Sequence, residues 1–184
     1  MFAGHFGVAA AVKARVPHVP LWALMVSTQL YDIVFIPLQA LKVETIAGTG
    51  YGNALIQAFY SHSLIGALAL ALLAGWLAAR RWGRTGGAVI AAVTCSHWLL
   101  DLLVHRPDLP LLPGNAGQLP LMGFGLWQYP TASLIVECSI LAAGALLYFR
   151  YAWNTAGPHK RARGVAAGTA MAVFLAASLA VGFM

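Results

Sequence analysis

The sequence predicts an all-α integral membrane protein: one domain, residues 1–184, built as a bundle of five long transmembrane helices plus a short N-terminal partial-span or re-entrant helix. Three observations predict it. The 184 residues are 60% hydrophobic and 9% charged, with a mean hydropathy of +0.76, whereas soluble domains carry about 25% charged residues. Apolar runs of spanning length, about 20 residues, recur along the whole chain. Prolines, glycines and basic clusters fall between those runs.

The elements follow in order. Residues 2–14 have a helical pattern but are short for a full span, and His5 within them is costly against lipid, so this helix packs on the bundle. In MFAGHFGVAAAVKARVP the charges follow the apolar stretch, the reverse of a signal peptide, so the segment is read as part of the mature protein. Pro17 and Pro20 break the chain before the first long span, 20–41. Gly48, Gly50 and Gly52 mark a loop before the second span, 56–79. Gly83, Gly86 and Gly87 turn the chain into the third, 86–104. The longest loop, 106–130, reads RPDLPLLPGNAGQLPLMGFGLWQYP and leads to spans 129–152 and 164–183. The Gly and Ala run of the last span suits close helix packing. Cys95 and Cys138 fall inside apolar segments and read as small packing residues.

The net charge is +6, and the basic residues are clustered. Lys13 and Arg15, then Arg80, Arg81 and Arg84, then Arg150, Lys160, Arg161 and Arg163 lie in alternate loops, which puts all three clusters on one side. The positive-inside rule makes that side cytoplasmic and the C-terminus external. No basic stripe is interleaved with polar surface, which excludes nucleic acid as the natural partner. Trp22, Trp98, Trp127 and Tyr129 read as interfacial anchors. His18 and His159 read as ordinary loop histidines on the cytoplasmic side.

The remaining ionisable groups are not scattered. HWLLDLLVH, residues 97–105, puts His97, Asp101 and His105 on one helical stripe, neighbours about 6 Å apart at their Cβ atoms. With the topology above, His5, Asp32, His62 and Glu137 join them in the outer half of the membrane. Singly, each would be a packing histidine or an interhelical clasp; together at one depth they point to a common site. Asp32, Asp101 and Glu137 have no Lys or Arg at matching depth, and an unpaired buried carboxylate is costly. Imidazole with carboxylate is a ligand set for zinc, manganese or iron. His97 and Asp101 can share one ion; His62 joins them, and His5 or Asp32 completes the shell. Asp32 or Glu137 is left as base. His105 sits at the rim, towards substrate, and Arg106 beside it can clamp an anionic headgroup.

Four short stretches, AGHFG with His5, QLYDIV with Asp32, YSHSL with His62 and SHWLLD with His97 and Asp101, together resemble the membrane-bound metal-dependent hydrolases. This group is also described as LexA-binding, inner-membrane-associated hydrolases. The resemblance covers about the first 110 residues. It implies a divalent metal site, hydrolytic chemistry and a bacterial inner membrane. The chain departs from the pattern at Val34, where the family commonly has a second Asp, and at Gln57 and Ala58, where it commonly has His-Arg. Glu137 and His105 are the candidates to replace those ligands.

The reading that follows is a metal-dependent hydrolase with an outward-facing site, acting on a lipid or lipid-linked phosphate or ester. Its partners are membrane lipids and a lipid-like substrate, with a homo-oligomer or larger membrane complex as a further expectation. The competing readings are an ion or proton pathway, a haem anchor using His62 and His97, and a non-catalytic membrane subunit. The absence of polar groups in the inner half and of an inverted repeat counts against transport.

Overall fold

A computed structural model of the chain describes residues 1–48 and 54–182; Gly50 and Gly52 of the expected glycine loop lie outside them. The chain is mostly helical. In order it forms α1 (Phe2–Arg15), α2 (Leu21–Thr28), α3 (Leu30–Ala40), a small antiparallel hairpin of β1 (Thr45–Ala47) and β2 (Leu55–Gln57), α4 (Leu64–Val104), α5 (Pro130–Ala156) and α6 (Arg161–Val181). Among the described residues, three helical segments are long and apolar enough to cross a membrane: Leu64–Val104, Pro130–Ala156 and Pro158–Val181. Counting α2 and α3 as one bent span makes four. The expected five long helices therefore correspond to three long helices and one broken one.

Part of that difference lies in α4. It runs over 41 residues as two helical arms joined by a turn at Trp82 and Gly83, where Gly83 has φ +72° and ψ 176°. That backbone region belongs essentially to glycine. The arms on either side, 64–81 and 84–104, fold back on each other. A Cβ added to Gly75 would meet Ala91, and one added to Gly87 would strike the Gly75 carbonyl. Gly83 alone makes the turn; Gly87 serves helix packing instead, through close backbone approach.

The second span starts later than its apolar pattern. Residues 55–57 pair with 45–47 as strand, with Ile46 opposite Ile56, and α4 begins only after Ser63. The Ser63 hydroxyl accepts the Gly66 N–H at 3.2 Å, an N-cap. The next two orphan N–H groups, of Leu64 and Ile65, are taken by the carbonyls of Pro110 and Leu111 from the long loop. That loop is thus an ordered plug. Its Leu109 is buried and pairs with Met122, and its Phe124 and Gly125 N–H groups cap the Leu102 and His105 carbonyls at the other end of α4.

The first span breaks by 49° between α2 and α3. The Ser27 and Thr28 hydroxyls donate to the carbonyls of Leu24 and Met25 one turn back, at 2.9 and 2.8 Å, a contact that bends helices. Gln29 then leaves helical geometry at φ −108°, ψ 9°. Asp32 consequently stands in the first turn of α3, just past a break, instead of in mid-helix.

The short helix α1 is 14 residues long, about 21 Å at 1.5 Å per residue. It packs chiefly on α5, which in turn packs on α6. The α1–α5 seam is tight at Gly7 and Gly144: a Cβ at Gly144 would land on the Gly7 carbonyl. His5 is buried, as its cost against lipid demands.

The basic turns gather at one end. The Lys13 ammonium lies 5.7 Å over the Tyr151 ring, joining the ends of α1 and α5. Trp22 packs edge-on against Trp82 at 5.8 Å, joining the start of α2 to the α4 turn. Trp98 is not an interfacial anchor. It is buried, and its indole N–H donates to the His62 carbonyl at 2.9 Å. Trp22 and Tyr129 are exposed. Of the cysteines, Cys138 is exposed and Cys95 is half-buried, both as free thiols.

Candidate metal centre

At the end opposite the basic turns lies a cavity of about 430 Å³. Its lining includes seven of the eight residues expected at the site: His5, Asp32, His62, His97, Asp101, His105 and Glu137. Arg106, the eighth, follows His105 in the chain and is not among the lining residues. Val34, Gln57 and Ala58, the positions that depart from the family pattern, do not line it either. Gln57 lies on β2, where its side-chain oxygen accepts the Thr45 hydroxyl at 3.1 Å. His18 and His159 are exposed.

Asp101 is the hub. Its Oδ2 lies 3.0 Å from His97 Nε2, 3.6 Å from His62 Nε2 and 3.9 Å from His105 Nε2. Its Oδ1 lies 3.3 Å from His5 Nε2 and 3.4 Å from the Met1 amine. Asp32 Oδ1 lies 3.4 Å from His62 Nε2 and 3.8 Å from His97 Nε2. Two triads have ligand atoms within 4.8 Å of one another: His5, His97 and Asp101, and Asp32, His62 and His97. The i, i+4 spacing of His97 and Asp101 works as the helix geometry requires.

Hydrogen bonding decides which ring nitrogens carry protons. His97 Nδ1 faces the Thr28 carbonyl oxygen. A carbonyl only accepts, so Nδ1 holds the proton. His62 Nδ1 is 2.8 Å from the Ser61 hydroxyl. That hydroxyl spends its single hydrogen on Glu44 Oε2, at 2.7 Å, so it accepts from His62. His105 Nδ1 is 2.9 Å from Asp108 Oδ1, again an acceptor. Each of the three rings therefore donates from Nδ1 and turns its Nε2 towards the carboxylates of Asp101 and Asp32. His97 Nε2 is buried with no hydrogen-bond partner among the described residues, although Asp101 Oδ2 is 3.0 Å away. Two arrangements satisfy such distances: a cation shared between a deprotonated Nε2 and the carboxylate oxygens, or a proton on Nε2 that makes an imidazolium–carboxylate pair.

The helix break explains the His97 anchor. Because α2 ends at Thr28, the Thr28 carbonyl is released from the helical ladder to accept the imidazole. His5 stacks face to face on His97, with ring centroids 3.8 Å apart and planes 4° from parallel. Its Nδ1 has no partner among the described residues. Glu137, expected as a candidate base, lines the cavity at the start of α1. Its Oε1 accepts the Gly4 N–H at 3.0 Å, an acid placed at the positive end of α1, and it belongs to neither triad.

Sequence reasoning overlooked Glu44 and Asp108. Glu44 is buried, and besides Ser61 Oγ it accepts the N–H groups of Tyr60 and Ser61 at 2.7 and 2.9 Å. A signal existed. The chain has only five acidic residues: Asp32, Asp101 and Glu137 line the cavity, while Glu44 and Asp108 orient its histidines. In an apolar chain each acid has a specific reason to be present, and scarcity alone singles out the two that were missed.

Comparison with known proteins adds no relative: no protein-family model matches the chain, and neither a curated protein nor a solved structure matches it.

Proposed function

We propose that the chain is a membrane-embedded, divalent-metal-dependent hydrolase acting on a lipid or lipid-linked phosphate or ester. The single observation that carries this is the convergence of the Nε2 atoms of His62, His97 and His105 on Asp101 and Asp32, in a cavity whose described lining holds no Lys or Arg. His97 belongs to both candidate triads, with His5 and Asp101 in one and with Asp32 and His62 in the other, and these five residues would hold the ion. Zinc, manganese or iron suits such a set. A bound ion of this kind lowers the pKa of a coordinated water towards about 7.

The chain's own residues do the rest. Ser61, Thr28 and Asp108 fix the three ring orientations. Asp32, the half-exposed member of the cluster, is placed to accept a proton from an incoming water. Apolar walls exclude bulk water. A haem reading is weaker: the His62 and His97 rings lie 5.4 Å apart and converge on the same carboxylates, which leaves no slot for a macrocycle.

In this reading the two arms of α4, the bent α2–α3 pair, α5 and α6 make five crossings of a bacterial inner membrane. The basic turns lie in the cytoplasm, and the site and C-terminus lie outside.

Elemental mass spectrometry of the protein purified in mild detergent tests the reading. About one zinc, manganese or iron per chain is expected, lost in His97→Ala and Asp101→Ala and retained in His18→Ala and His159→Ala. No metal in any of them, even after incubation with excess ion, sinks the proposal.

A further inference from the structure

The cavity's walls narrow the substrate, if the hydrolase reading above is taken as the premise. We propose that it admits an uncharged long-chain acyl ester sideways from the bilayer and does not take a phosphate. Two independent features support this.

The first is charge. Among the described residues no Lys or Arg lines the cavity, and none of the remaining residues, 49–53 and 183–184, is basic. Three carboxylates do line it: Asp32, Asp101 and Glu137. One divalent ion leaves them one negative charge in excess. With the Met1 amine beside Asp101 also counted, the wall is neutral. A phosphate ester would enter with its own negative charge and meet no guanidinium or ammonium side chain, the groups that normally receive it. An ester carbonyl brings no charge to be compensated.

The second is the doorway. Phe2, Ile36 and Ile46 line the cavity and are also exposed, Ile36 by 63%. Ile33, Leu41 and Leu55, close to them in the chain, are exposed as well. Gln39 and the half-exposed Asp32 are the polar members of the exposed lining, so the rim is mostly apolar with one polar side at Asp32. A volume of about 430 Å³ lies within the range of small-molecule sites, roughly 300–1,000 Å³, and suits an acyl chain with its carbonyl at the histidines.

The reaction balances as plain hydrolysis. The water oxygen adds to the acyl carbon, and the acyl carbon–oxygen bond breaks with its electron pair on the alcohol oxygen. That oxygen takes up a proton from the water, giving fatty acid and alcohol.

The test uses the full-length protein in nanodiscs, with metal content measured on every sample. The substrates are 4-nitrophenyl dodecanoate, 4-nitrophenyl acetate and 4-nitrophenyl phosphate. Dodecanoate is expected to show at least a tenfold higher kcat/KM than acetate, with phosphate at background. Ile36→Arg, which sets a cation in the doorway, is expected to lower dodecanoate kcat/KM at least tenfold with metal content unchanged. It is also expected to abolish retention of 2-tetradecanone, an unhydrolysable chain-bearing ketone, in native mass spectrometry. Metal-loaded protein that hydrolyses the phosphate, that ignores chain length, or that turns over none of the three overturns the substrate class while leaving the metal centre standing. Protein that binds no metal overturns the premise itself, and the two failures are told apart by the metal measurement.

Discussion

The Ser61–His62 pair shows how much one residue's job depends on its neighbour. His62 is a good ligand only if its ring is held and its Nε2 left bare. Ser61 holds the ring by accepting from Nδ1, because Glu44 takes the hydroxyl hydrogen, and so aims Nε2 at the carboxylates. Groups in this outer position typically contribute 10–100-fold to metal affinity. Ser61→Ala is expected to weaken metal binding by about that factor, measured by chelator competition. The ¹⁵N shifts of the His62 ring should change from one tautomer to a mixture, a signature that a general loss of packing would not give. Glu44→Gln keeps an acceptor oxygen and should lie between wild type and Ser61→Ala. At this scale the sequence was legible where spacing forced proximity, as for His97 and Asp101. It was also legible where cost forced burial, as for His5. It was silent on Glu44, 18 residues before its histidine, because a reverse hairpin brings them together and local pattern does not encode that.

Among elements, helix breaks organise the centre. The α2–α3 break frees a carbonyl for His97 and swings Asp32 inward; the hydropathy of 20–41 is continuous across it, so a single span was the natural expectation. The same continuity hid the start of α4: residues 55–57 are as apolar as a span but are drawn into a strand with 45–47. The seam between α1 and α5 carries a sharper prediction. Gly144→Ala places a methyl on the Gly7 carbonyl, overpacking that costs about 1–3 kcal/mol. Because His5 rides on α1, metal occupancy should fall along with the thermal midpoint in detergent. Gly157→Ala is the matched control. At φ +66° and ψ 176° with open space around it, it should also lower the midpoint, through about 1–3 kcal/mol of backbone strain, with metal retained.

On the scale of the whole molecule, charge is largely sorted by sign, with Lys42 and Arg106 the basic residues outside the three clusters. The three clusters of basic residues sit at the turns of one end, and all five acids lie in or around the centre at the other. In the proposed reading, orientation and chemistry are thus written in separate residues. Replacing Arg80, Arg81 and Arg84 by Gln should disturb insertion without touching the centre. In a background with Cys95 and Cys138 replaced by Ser, a cysteine at His18 and one at Phe124 should label from opposite sides. The triple replacement should blur that distinction while correctly inserted protein keeps its metal. This division was legible from the positions of the basic loops, because a membrane imposes its polarity on sequence directly. The cavity's apolar doorway was not, since it depends on which faces of α3 and the hairpin meet the end of α1.

The reversal of α4 at Gly83 sets a timetable for making the protein. His62 stands before one arm and His97 near the end of the other, 35 residues later, roughly 2–7 s of synthesis at 5–20 residues per second. His5 waits longer still, for the Gly144 stretch of α5 that seats its helix. A nascent chain therefore presents the members of the cluster one at a time. For the ion proposed above, the full set exists only once α1 has docked on α5.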